Sequence, residues 1–316
     1  MAFPSNDYTH RELWRAYLPH ALKVLWNREI YGIDERYILF FKVRKCLLAD
    51  GRANEAVGCL VEDANWKECH YDEEHSDRLV SEYELAGAYQ ANGQIKKAVE
   101  LLEHVVTVRE RILWAEHPER LASQYELARA YQADGQIAQA VNLLEHVVIA
   151  QDITPAEEHP NLLASQHTLG AVYRADGQIA QAVELLEHVV IVQDRTLVEK
   201  HPDRLASQHE LARAYQADGQ IAQAVELLEH VVMMRERTLE EEHPDRLASQ
   251  HALAGAYQAD GQIAQAVELL EHVVTVQDRT LAEEHPDRLA SQHALARAYE
   301  ADGQVKKAVE LLEHVV

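Results

Sequence analysis

The stretch HPDRLASQHELARAYQADGQIAQAVELLEHVVMMRERTLEEE, residues His201–Glu242, decides the fold. Pro202 suits the first position of a helix, where a missing N–H costs nothing. Asp203 in that first turn complements the helix dipole. Leu205, Gln208, Leu211, Ala212 and Tyr215 then recur at helical spacing. Asp218-Gly219 breaks the helix, with glycine free to take a left-handed backbone. Ile221, Ala224, Val225, Leu228, Val231 and Val232 form one apolar face of a second helix, expected to run to about Leu239. No alternating β-branched run suggests a strand. The stretch reads as a helical hairpin that cannot bury its own apolar face and must stack on neighbours.

Those neighbours are present. His-Pro recurs at His117, His159, His201, His243 and His285, in steps of 42 residues, and His75-Ser76 opens the preceding unit. Gly51, Gly93, Gly135, Gly177, Gly219, Gly261 and Gly303 keep the same period. Seven units are expected, starting near residues 34, 75, 117, 159, 201, 243 and 285, the first diverged and the last cut short. The expected division is a helical cap or linker over 1–33 and an array over 34–316.

The unit resembles a tetratricopeptide repeat (TPR). Leu211, Ala212, Tyr215, Gly219, Ala224, Leu228 and Val231 carry the match. Gln208 stands where the family often has Trp, and Ile221 where an aromatic is common. The 42-residue period with a His-Pro junction resembles the kinesin-light-chain subtype. The resemblance implies an all-α, right-handed superhelix, or α-solenoid, whose first helices line a concave groove that takes partners. The small Ala212 and Ala224 are expected to let the two helices approach closely, with Tyr215 filling the gap beside them.

Ahead of the array, Thr9-His10-Arg11-Glu12 reads as a capping box. A helix is expected there, interrupted or kinked at Pro19. Leu13, Trp14, Tyr17, Leu18, Leu22, Leu25 and Trp26 offer it an apolar face. The segment FPSNDYTHRELWRAYLPHALKVL also resembles the stretch before the repeats in fungal NLR-type (STAND) proteins, where an NB-ARC or NACHT nucleotide-binding domain lies upstream. That resemblance implies a ligand sensor of innate immunity or nonself recognition. The alternative is a general adaptor, like a kinesin light chain, holding acidic peptides. A consensus-designed array is a weaker reading, opposed by the irregular Ile153-Thr154-Pro155 stretch and the diverged first unit.

Near-identical units act as internal controls. Units 201–242 and 243–284 differ at seven positions. These are Glu210/Ala252, Arg213/Gly255, the run Met233-Met234-Arg235-Glu236 against Thr275-Val276-Gln277-Asp278, and Glu240/Ala282. The slot of Arg213 reads Gly87, Arg129, Ala171, Arg213, Gly255 and Arg297. The slot of Glu210 reads Glu84, Glu126, Thr168, Glu210, Ala252 and Ala294. Three residues apart, the two slots share a helix face. A third slot reads Tyr83, Tyr125, His167, His209, His251 and His293. Tolerant surface drift would explain the variation, and packing between hairpins would explain the histidines. The functional reading makes Tyr83, Tyr125, Arg129, His167, Arg174, His209, Arg213, His251, His293 and Arg297 a groove lining. Histidine titrates near pH 6.5. The groove is therefore expected to be neutral to cationic and to favour a carboxylate held by arginine.

Composition bounds the remainder. The 316 residues carry 53 acidic and 30 basic side chains, a formal net charge of −23. Residues 1–32 hold three acids and four bases, whereas unit 201–242 holds nine acids and four bases. The charge is one acidic unit copied along an array, which argues against nucleic acid as a partner. No apolar run approaches the roughly 20 residues of a membrane span, and no signal-peptide pattern opens the chain. Cys46, Cys59 and Cys69 are the only cysteines, which fits a reducing cytoplasm.

No enzyme activity, metal or cofactor is expected. There is no HExxH pair, zinc-spaced Cys/His cluster, GxSxG, GxGxxG or Walker motif. Ser207-Gln208-His209 are adjacent on one helix and do not make a nucleophile pair. Glu-His recurs at His104, His146, His188, His230, His272 and His314, and is expected on the outer or flanking face of the second helices. The last unit stops at Glu313-His314-Val315-Val316, inside its second helix. An uncovered apolar face there would invite end-to-end self-association, and the chain reads as a fragment or C-terminal domain of a larger protein.

Overall fold

A computed structural model describes residues 11–26, 39, 42–44, 46–47, 52–152 and 159–313. Thr9-His10, Gly51, Ile153-Thr154-Pro155 and His314–Val316 lie outside the described residues. All regular structure among the described residues is helical. The chain divides into two compact units, 1–153 and 154–316. The first holds α1 (Arg11–Trp26), α2 (Ala53–His70), α3 (Ser76–Ala91), α4 (Ile95–Ile112), α5 (Pro118–Ala133) and α6 (Ile137–Asp152). The second holds α7 (Pro160–Ala175), α8 (Ile179–Thr196), α9 (Pro202–Ala217), α10 (Ile221–Thr238), α11 (Pro244–Ala259), α12 (Ile263–Thr280), α13 (Pro286–Ala301) and α14 (Val305–Glu313). From α2 to α6 and from α7 to α14, consecutive helices pair and each hairpin packs on the next.

The His-Pro junction works through both residues. Proline disfavours helical backbone in the residue before it. His201 accordingly sits at φ −65°, ψ 132° and caps α9, with Pro202 in the first turn. Its ring Nδ1 accepts the Asp203 N–H at 3.3 Å, satisfying one of the free donors at the helix start. The same bond recurs at 3.2 Å for His117, His159, His243 and His285. His75 also caps, although Ser76 follows it.

At the far end of α9, the Asp218 N–H reaches the Ala214 carbonyl at 2.9 Å. Gly219 takes φ +82°, which a side chain would strain. The Gln220 N–H then closes on the Tyr215 carbonyl at 2.8 Å, and α10 begins at Ile221.

The apolar slots meet as the spacing requires. Ala212, Val225, Leu228 and Val232 share a core with Leu253 and Ala256 of the next hairpin. The fully buried Ala212 and Ala224 keep α9 and α10 close. Unit 159–200 is tighter still, because Gly170 replaces that alanine. A Cβ there would lie 2.6 Å from Leu186 Cγ. Gln208, in the slot where the family often has Trp, is buried and donates to Asp194 of α8 at 3.4 Å. The Tyr215 hydroxyl donates to Glu187 of α8 at 2.7 Å, and burial with that bond pushes its pKa up to about 12.

In the N-terminal segment, helix α1 is not interrupted at Pro19. Leu13 and Tyr17 are exposed, so its buried face is narrower than read. Trp14, Leu18, Ala21 and Leu25 form one core with Val43, Cys46, Leu47, Ala56 and Cys59. Residues 42–44 and 46–47 are helical, and α1 caps them and α2. In α14, Val305 and Val309 are exposed.

Candidate functional site

In the first unit the tyrosines of the third slot lie beneath guanidinium groups. Arg109 of α4 stands 5.6 Å from the Tyr83 ring centre, and Arg129 stands 6.0 Å from that of Tyr125. Arg129 also pairs with Glu126 at 3.2 Å. Tyr83 and Arg129 line one concavity of about 670 Å³, together with Glu84, Gly87, Gln90 and Glu126. Gly87 opens it, since a Cβ there would meet nothing within 4 Å. Glu84 is ion-paired to the buried Arg44.

In the second unit the histidines bridge hairpins. His167 Nδ1 lies 3.1 Å from Ser207 Oγ, His209 Nδ1 3.4 Å from Ser249 Oγ, and His251 Nδ1 3.1 Å from Ser291 Oγ. Each serine belongs to the Ser-Gln-His triplet of the following hairpin. The serines are buried, and Ser249 also donates to the Asp245 carbonyl at 3.1 Å. These are packing bonds, with no exposed nucleophile among them. His293, on α13, is exposed.

His167, His209 and His251 are not cationic. Burial lowers His167 and His251. It drives His209 down to about 4, with Arg235 pushing in the same direction. Of the expected range from neutral to cationic, these three histidines take the neutral end, because desolvation disfavours the imidazolium.

The arginines are also partly committed. Arg174 of α7 pairs with Glu210 at 2.8 Å, and Arg213 reaches the other oxygen of that carboxylate at 3.4 Å. Burial opposes ionisation of Glu210, yet Arg213 and Arg174 hold its carboxyl below the ordinary carboxylate value. The Arg213 side chain remains 43% exposed, against 22% for Arg174. Arg213 is therefore the more accessible to a ligand. Arg297 is exposed on α13.

A concavity of about 510 Å³ opens beside Arg213, lined also by His209, Gln216, Glu242, Leu247, His251, Leu281, Asp287 and Ser291. Ala252, Gly255 and Gln277 complete the wall. These are three of the seven positions at which units 201–242 and 243–284 differ. Each is shorter than its counterpart Glu210, Arg213 or Arg235. A Cβ on Gly255 would meet only Gln216 Nε2, at 3.6 Å. His209, Arg213 and His251 thus come together at one opening, while Arg174 and His167 lie at the preceding junction.

Reading the sequence missed two features. Glu210 is an anchor for two arginines rather than a free groove residue. Arg235 and Arg109 are buried hairpin locks. The clustered run 233–236 was the available signal for Arg235, but nothing local showed that the side chain points into the next hairpin. Among the described residues no group of three or more His, Cys, Asp or Glu is placed to hold a metal. No described helix is long and apolar enough to cross a membrane.

The tetratricopeptide-repeat family matches residues 77–148, 161–237, 203–278 and 245–316. No curated protein was found to match. A crystal structure of nearly identical TPR-like repeats from Podosopora anserina, named there as belonging to a kinesin light chain, is 64% identical. The match covers 63% of this chain and 95% of that one, with a TM-score of 0.56. A methionine-for-glutamine variant of those repeats is 58% identical over 67% and 99% of the two chains, with a TM-score of 0.57. The apo form of RapI shares the fold, with a TM-score of 0.67, 12% identity, and coverage of 88% and 96%. The chain belongs to the tetratricopeptide-repeat family, and its fold is related to kinesin-light-chain-like TPR proteins.

Proposed function

We propose that this chain is a non-catalytic adaptor module that binds peptide segments of partner proteins, with residues 34–316 as the binding array and 1–33 as its cap. One observation carries the reading. Positions that differ between otherwise copied units line the two concavities described above, and both open at a glycine where sister units carry arginine. The Podosopora anserina repeats support the adaptor type. A Rap protein related in fold has been crystallised with Competence and Sporulation Factor, which supports ligand capture by such an array. Cys46, Cys59 and Cys69 form no disulfide, which suits a reducing, cytoplasmic setting.

The preference for acidic peptides is not carried forward. His209 and His251 on the second lining are neutral, and the lining of each concavity includes two carboxylates for one arginine. Gly255→Arg and Gly87→Arg copy the sister units and refill the two openings. Peptides selected from a random display library on the full chain should lose at least tenfold affinity in the matching variant. Unchanged binding in both variants would remove the concavities from the function.

The segment Phe3–Leu25 favours a second reading, a sensor module next to a nucleotide-binding domain in a longer protein. Replacing Arg129, Arg213 and Arg297 with Ala would then abolish the ligand response of that protein without changing helicity. A response that survives all three changes removes this reading.

A further inference from the structure

The concavity of the second unit is a junction that lacks its arginine. One hairpin earlier, Arg235 fills the equivalent space. Its Nη1 donates to the Asp245 carbonyl at 2.6 Å and to Ser249 Oγ. In the first unit Arg109 does the same, donating to the Glu119 carbonyl at 2.9 Å and to Ser123 Oγ at 3.3 Å. Both arginines are buried. The acceptor pair is therefore a recurring guanidinium seat, built from the first turns of the following hairpin.

Gln277 takes the slot of Arg235 and is too short to occupy that seat. Asp287 and Ser291, the counterparts of Asp245 and Ser249, line the opening beside it. Gln277 is 4% exposed, and its Oε1 is buried without a hydrogen-bond partner, as is that of Gln193 in the same slot; Gln277 is the one that lines this concavity. A buried acceptor left unpaired is costly, so where it borders an open concavity it offers a place to a donor. Ser291 Oγ faces His251 Nδ1 at 3.1 Å, much as Ser249 faces His209 while also accepting from Arg235. A serine oxygen has two lone pairs, so whichever way the bond with His251 runs, one remains to accept from the ligand. Ala252 and Gly255 clear the approach that Glu210 and Arg213 fill one hairpin earlier.

We propose that this opening binds the guanidinium of an arginine side chain in a partner peptide, taking the place held internally by Arg109 and Arg235. The proposal rests on the peptide-binding reading above and names its ligand. Glu242 and Asp287 stand on the lining and favour a cation, as does a chain of net charge −23. Arg213 also lines the opening, but Glu210 holds it at 3.4 Å. The planar fork of a guanidinium can serve several acceptors at once, which a lysine ammonium cannot match in geometry.

The test titrates the full chain with Ac-Gly-Arg-Gly-NH2 and with its citrulline and lysine analogues, by calorimetry. The arginine peptide should bind at one site, with both analogues at least tenfold weaker. Gln277→Arg should lose at least tenfold affinity without a fall in melting temperature, because arginine is the native residue of that slot one hairpin earlier. Ser291→Ala should weaken binding through loss of an acceptor. Equal binding of the citrulline peptide, no binding of the arginine peptide, or unchanged binding by Gln277→Arg would overturn the proposal. Library peptides blocked by Gly255→Arg but lacking arginine would also overturn it, while leaving the peptide-binding reading intact. Arginine binding lost in Gln277→Arg, with no peptide selected from the library, would keep the seat and overturn the peptide role.

Discussion

Lowering the pH from 7 to 4 should remove about 3 kcal/mol of stability through His209 alone. Its imidazole titrates near pH 6.5 in the unfolded chain and is driven to about 4 by burial and by Arg235 in the folded one. Below pH 6.5 the unfolded chain therefore binds a proton that the folded chain refuses. The contribution is complete above pH 6.5, declines as the pH falls, and is gone once the folded imidazole itself titrates near 4. His167 and His251 are lowered in the same direction and add to the slope. Glu210 follows the carboxylate rule, so its contribution is present above the ordinary carboxylate value and is lost as the pH falls through its lowered folded value. Urea unfolding at pH 7, 5.5 and 4 measures the sum, and His209→Gln isolates the term. The variant should lose less stability on acidification by about 3 kcal/mol. Identical pH slopes for the two proteins would show that His209 is not a neutral packing residue.

The same histidine shows where reading a sequence stops. Pro202, Gly219 and the Ala212–Leu228 pattern are local signals with local consequences. A proline in the first turn, a glycine at positive φ and an apolar face at helical spacing each follow from residues within one hairpin. That locality, copied at a constant period, made the hairpins legible without coordinates. His201 belongs to the same class, yet its role was missed. Proline is the familiar first-turn signal, whereas the ring that accepts the Asp203 N–H stands just before it and histidine is no usual cap.

The candidate site is of another kind. His209 meets Ser249, Arg174 meets Glu210, and Arg235 meets Asp245, each across a hairpin boundary. Slot comparison found the positions that vary. It could not tell whether their side chains point to solvent or into the next hairpin. Charge stayed open between neutral and cationic for that reason, because the ionisation of His209 is set by burial under its neighbour rather than by residue type.

Leu228→Ala should destabilise the second unit by roughly 2–5 kcal/mol, the range for a buried leucine whose site collapses only in part. Leu228 is fully buried and lies among Ala212, Val225, Val232, Leu253 and Ala256. Two of its neighbours are alanines with no further atoms to move inward, and Leu253 is held by its own helix. The cavity should therefore stay open. In a stack, each hairpin gains its stability from the two it touches. Weakening 201–242 should then reach 243–284 through Leu253 and Ala256. Hydrogen exchange should quicken across α9, α10 and α11, with a smaller change in α14, which shares no core residue with Leu228. Thermal melting gives the size of the loss, and exchange gives its reach. A uniform rise in exchange over α7–α14 would mean that the second unit unfolds all at once. A rise confined to α10 would mean that Leu253 and Ala256 do not draw their stability from Leu228.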